Sequence, residues 1–184
     1  MKATQQLKEE HQGVLLGLKI LEKIAQKLKK GERVDPDHLK QLLEFLTVFV
    51  DKCHHSKEEE LLFPALEKVG LPKEGGPVGV MLLEHNAGRG CIKGIKEAVS
   101  LYEQGEKSAA LKFVSNAENY IALLREHIDK EDNILYQIAD MHLDEKAQDQ
   151  LIKEFEKIET ERIGVGKHEQ FHQMLNDLGK IYQI

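Results

Sequence analysis

Four histidines stand where helical spacing turns them inward, and two of them have a glutamate four residues later. These are His11, His54 with Glu58, His85, and His127 with Glu131. Residues at i and i+4 share a helix face one turn apart, so H-x-x-x-E aims an imidazole and a carboxylate at one point. A carboxylate on an apolar face is costly unless it is paired or bound to a cation. Two such carboxylates beside four imidazoles point to metal, and mixed imidazole and carboxylate donors suit iron, manganese or zinc. Carboxylates on different helices can each bridge two ions, which makes a dinuclear centre the natural reading.

Each histidine lies within an apolar stripe. His11 falls among Leu7, Val14, Leu15, Leu18, Leu21, Ala25 and Leu28. His54 and Glu58 fall among Leu39, Leu43, Leu46, Val50, Leu61 and Ala65. His85 lies with Val78, Met81, Leu82, Ile92, Ile95 and Val99, and His127 and Glu131 lie with Tyr120, Leu123, Leu124, Ile134, Leu135 and Ile138. Two local alternatives stand beside this set. His55 has Glu59 four residues on, but its face includes Val48, Asp51, Lys52 and Leu62, so His54 and Glu58 are preferred. Asp132 lies five residues after His127; Glu131 fits the i+4 geometry better.

The elements that must hold these side chains are helices. Breaker residues cluster at 29–37, 69–79, 102–108 and 163–166. The segments between show helical periodicity, and none alternates over a strand length. The spacing predicts long helices at 3–29, 37–69, 78–103 and 107–140, then shorter ones at 145–161 and 167–183. Asp35 and Asp144 read as helix caps, with Pro36 in a first turn, whereas Pro64 should kink or end the second helix. The fold expected is all-α: an up-down antiparallel four-helix bundle over 1–142, with a C-terminal helical extension over 143–184 packing on it.

Bulk properties agree. The chain has 184 residues, 32% of them charged and 5% aromatic, with no Trp. A net charge of -6 disfavours nucleic acid or an anionic membrane as partner. Two cysteines, Cys53 and Cys91, are too few for a disulfide framework and fit a cytoplasmic protein. Packing is the expected role of both. No secretory signal or membrane-spanning run is visible.

The stretches HQGVLLGL (11–18), HHSKEEELLFPAL (54–66), EHNAGRG (84–90) and LLREHIDKEDNILY (123–136) resemble the hemerythrin-like, HHE cation-binding family. The resemblance implies two iron ions in an oxo- or hydroxo-bridged centre, with Glu58 and Glu131 as bridges and His11, His54, His85 and His127 as terminal ligands. It implies binding or sensing of a small diatomic ligand, dioxygen or nitric oxide. A di-iron oxidoreductase or iron-centre repair protein acting on peroxide or nitric oxide is the alternative. The family's second histidine on the third helix is replaced here by Arg89, and a guanidinium cannot ligate a metal. Water or a histidine from elsewhere must fill that place.

The tail holds His168-Glu169-Gln170-Phe171-His172, a match to the zinc-peptidase pattern H-E-x-x-H. A zinc metallopeptidase needs a third ligand, and after His172 neither His nor Glu remains. A ferritin-like centre needs two E-x-x-H pairs, and this is the one present. His168 and His172 are therefore kept as candidates for the missing ligand, His172 ahead of His168, against the plainer reading of a solvated face.

Overall fold

The computed structural model describes residues 2–184, which are all-α, with no strand among them. The first rod is helix α1 (Ala3–Lys29). The second begins as α2 (Pro36–Glu44), widens into π-helical turns over Phe45–His55 and Glu58–Leu62, and closes as α3 (Phe63–Lys68). The third is α4 (Pro77–Glu103). The fourth is α5 (Ala109–Lys130), a π-helical stretch Glu131–Leu135, and α6 (Tyr136–His142). The extension comprises α7 (Glu145–Lys157), a π-helical stretch Ile158–Gly164, and α8 (Lys167–Tyr182). No helix among the described residues is long and apolar enough to cross a membrane.

The caps read from sequence are formed. Asp35 accepts from the Asp37 N–H behind Pro36, and Asp144 accepts from the Ala147 N–H. Pro64 neither ends nor breaks its rod: it lies in the first turn of α3, directly after wide turns, where a missing N–H costs least.

Cross-rod pairs give the direction of each neighbour. From α1 to the fourth rod they run Lys29–Glu118, Glu22–Arg125 and Lys8–Asp132, one number falling as the other rises. The same opposition holds for Glu97–Lys112 and His85–His127 between α4 and α5, and for Lys40–Glu103 and Asp51–Arg89 between the second and third rods. Neighbouring rods are thus antiparallel. The first and second approach so closely at Gly17 that a Cβ there would lie 2.6 Å from the Phe45 ring.

The core is split in two. One apolar cluster runs from Val14, Leu18 and Leu21 through Phe45 and Phe49 to Tyr120 and Leu124, and α8 adds Phe171, Leu175, Leu178 and Tyr182 to it. The other joins Ala3 and Leu7 to Leu62, Phe63, Leu135 and Tyr136, and α7 adds Leu151 and Phe155. The extension therefore packs into both clusters. It also caps the start of α1, where the Ala3 N–H donates to the Gln148 side chain. Between the clusters lies a buried polar layer that includes Glu10, His11, His54, His55, Lys57, Glu58, His85, His127 and Glu131.

Candidate metal centre

Each rod delivers its part of this layer by simple periodicity. His11 follows Leu7 and precedes Val14 and Leu18 on the inward stripe of α1, and His85 follows Val78 and Met81 on α4. His127 lies in the last turn of α5, and Glu131, four residues on, opens a π-helical stretch. Glu58 opens one in the same way, four residues after His54. Both carboxylates are 0% exposed.

The side chains gather into two groups whose donor atoms lie within 4.8 Å of one another: His11, His54 and Glu131 in one, and His55, Glu58, His85 and His127 in the other. In the first group His11 Nε2 lies 3.0 Å from His54 Nε2; in the second, His85 Nε2 lies 3.1 Å from His127 Nε2. Two imidazole nitrogens at ligand distance from one ion and at right angles to each other would be about 3 Å apart. Glu131 spans the groups, with Oε2 3.3 Å from His11 Nε2 and Oε1 3.1 Å from His127 Nε2. Glu58 spans them too: its Oε2 is 3.7 Å from His54 Nε2 and 3.4 Å from His85 Nε2. The remaining oxygen of Glu58 accepts a 2.6 Å hydrogen bond from the Tyr136 hydroxyl.

Glu58 Oε2 and both oxygens of Glu131 are buried without a hydrogen-bond partner. An ionised group left unpaired in the interior costs several kcal/mol, so these three atoms are the sharpest test of whether a cation belongs here. They pass it, because all three face the imidazole nitrogens. In the metal-free protein, protons take the place of cations. Burial opposes charge on His11, yet Asp132 and Glu131 raise its pKa to about 10. Burial opposes it on His85 too, and Glu131, Glu58 and Glu59 raise that one to about 11. Burial would likewise raise the Glu131 carboxyl, but His127, His11 and His85 hold it well below the usual range. Burial, and then the neighbouring His85, keep His55 neutral.

His55, passed over in favour of its neighbour, is fully part of the layer. Its ring stacks on His85 at 3.8 Å between centroids. In an α-helix consecutive side chains diverge by about 100°, and on that winding His55 falls on the more polar face, with Asp51 and Lys52. The π-helical turns of Phe45–His55 place more residues in each turn and narrow that angle, so His54 meets one group and His55 the other. A fifth imidazole thus stands in the layer although the third rod carries Arg89.

The outer ring of acids was missed: Asp132 and Glu59 were weighed only as alternative ligands. Each imidazole turns its second nitrogen to a carboxylate: His11 to Asp132 (2.8 Å), His54 to Glu10 (2.9 Å), His55 to Asp51 (3.4 Å), His85 to Glu59 (2.6 Å) and His127 to Glu84 (2.9 Å). With Nδ1 held by an acid, Nε2 is left free to face inward, the arrangement that orients histidine ligands in metal sites. The readable signal was adjacency: Glu10, Glu59, Glu84 and Asp132 each sit beside a candidate ligand in sequence. Cations back these acids. Arg89 donates to both Asp51 and Glu59, Lys130 pairs with Glu84, and Lys57 pairs with Glu10. Arg89 thus serves the acids behind two imidazoles.

His168 and His172 stand apart from both groups. His168 packs on Phe49 and falls with Glu10 and Glu159, so it reaches His54 only by way of Glu10. His172 lies against Gly13 and the Phe49 ring. Glu169 between them is exposed, so HEQFH does not assemble the convergent His-Glu-His set of a zinc peptidase. Cys53 is buried, 3.8 Å from His168 Nε2, and burial pushes its thiol up to about 12.

Comparison with known families finds the hemerythrin HHE cation-binding domain over residues 2–139. Comparison with curated proteins and with solved structures gave no match.

Proposed function

The chain belongs to the hemerythrin HHE cation-binding family, and on that premise we propose that it holds two iron ions in the polar layer and binds or senses dioxygen or nitric oxide there. One observation carries the reading: three unpartnered carboxylate oxygens, from Glu58 and Glu131, lie between two groups of imidazoles. Glu58 and Glu131 would bridge the ions. His11 and His54 would hold one ion, and His55, His85 and His127 the other. Manganese and zinc accept the same donors; iron is the family's metal.

The two groups are unequal, and that inequality favours binding of a small ligand. Two imidazoles leave more of an ion's coordination free than three do. On that side Tyr136 stacks on His11 at 5.6 Å, while Phe63, from the apolar cluster bordering the layer, stacks on His85 of the other group at 6.0 Å. Iron so held would supply reversible ligand binding, passing electrons to the bound ligand and recovering them on its release. The chain's own residues keep water out, fix the imidazole tautomers and hold Glu58 through the Tyr136 hydroxyl.

Metal analysis of the protein as isolated, a visible spectrum, and rapid mixing of the reduced protein with oxygen test this. Two irons per chain and a reversible spectral change are expected. Irreversible oxidation with turnover of peroxide would move the reading to an oxidoreductase. A single colourless zinc lost on His168→Ala would overturn it.

A further inference from the structure

We infer that the C-terminal extension, beyond the family-matched residues, acts on the metal centre through Glu159 and a buried lysine, positioning the ligand His54. This rests on the metal reading above. Lys57 is 0% exposed, and its ammonium lies 2.5 Å from Glu10 Oε1 and 2.5 Å from Glu159 Oε1. The other oxygen of Glu10 is the one that accepts from His54 Nδ1. Glu159 is fixed in turn by the Gln6 side chain at 2.7 Å. A continuous line therefore runs Glu159–Lys57–Glu10–His54, from the π-helical stretch after α7 to the smaller imidazole group.

The partners of Lys57 distinguish it from the other outer cations. Arg89 and Lys130 are partly exposed, so water can screen them, and their acids come from within the four rods. A lysine with no access to water must divide its charge between the carboxylates that touch it. As long as Glu159 takes a share, Glu10 keeps enough negative charge to polarise the His54 N–H and make Nε2 a stronger donor. Neutralising Glu159 puts the whole ammonium on Glu10, weakens that polarisation and loosens His54. Removing the ammonium does the reverse. Lys57 and Glu159 are thus positioning residues whose substitutions have opposite signs.

The test uses full-length protein loaded with iron(II). A chromophoric iron(II) chelator reads release, and a redox titration reads the midpoint potential. Glu159→Gln should release one of the two irons about tenfold faster, leave the other unchanged, and shift the potential upward. Lys57→Met should shift it downward, Lys57→Arg should restore the parent value, and the exposed-site control Glu156→Gln should change neither reading. Parent release rates and potential in Glu159→Gln, or equal shifts in Glu156→Gln, would overturn the inference alone. If Lys57→Met does not fold, Glu159→Gln at the half-buried end still decides it. Wild-type protein that takes up no iron would overturn the metal reading itself.

Discussion

Replacing Tyr136 by phenylalanine removes one hydroxyl and nothing else from the centre. The ring is fully buried and stacks on His11, and phenylalanine keeps that packing. What goes is the 2.6 Å hydrogen bond to Glu58 Oε1. A hydrogen bond to a charged acceptor contributes about 1.5–3 kcal/mol. Loss of this one leaves Oε1 as another buried oxygen without a partner, beside the three already present. The full cost in metal-free protein is therefore at the upper end, about 2–3 kcal/mol. For a chain of this size each kcal/mol moves the melting temperature by roughly 2–4 °C, so Tyr136→Phe should melt roughly 5–10 °C lower. Thermal unfolding of chelator-treated protein followed by circular dichroism measures it. Metal loading should shrink the gap, since a cation takes up the freed oxygen. A metal-free melting temperature within about 1 °C of the parent would mean that Tyr136 does not carry Glu58, and the account of that carboxylate would fail.

Substituting His127 or Glu131 by alanine should sharply lower bound iron by metal analysis, whereas His38→Ala should not, because His38 pairs with Tyr182 in the other part of the core. His55→Ala should cost about one iron per chain, and His172→Ala none. Alkylation at pH 8 should label the half-buried Cys91 ahead of Cys53, whose thiol burial pushes up to about 12; mass spectrometry of the labelled peptides reads the order. In metal-free protein, His11 and His85 are raised from 6.5 to about 10 and about 11. Raised pKa values favour the folded state fully below about pH 6.5, less as pH rises, and not at all above about pH 11. Melting temperatures of chelated protein should fall across that interval; a flat profile from pH 7 to 10 would contradict the charged pairs.

The four rods were legible because their apolar residues repeat at three and four. That the six side chains proposed as ligands face inward was legible because an imidazole or carboxylate on such a stripe stands out. Three things were not. His55 required wide turns, which no residue type announces, since Phe45–His55 reads locally as an ordinary helix. The ring of acids around the histidines was hidden because Glu10 reaches across to His54 and Glu84 to His127, each on a different rod. The place of Glu159 was hidden for the same reason in stronger form: its partner Lys57 is 102 residues away. Lys57 itself stands directly before Glu58, Glu59 and Glu60, a sequence context typical of solvated charge.

The wide turns of the second rod make residue count, and not only residue identity, part of the site. A helix so wound holds a spare residue, and cutting one out between Phe45 and His55 would let it settle into the tighter coil. Everything downstream would then revolve relative to Leu39 and Leu42, which the apolar core anchors. His54, His55 and Glu58 would keep their spacing along the chain and lose their aim. A one-residue deletion in this stretch would thus disarm the centre more thoroughly than most point changes, while leaving every donor in the polypeptide.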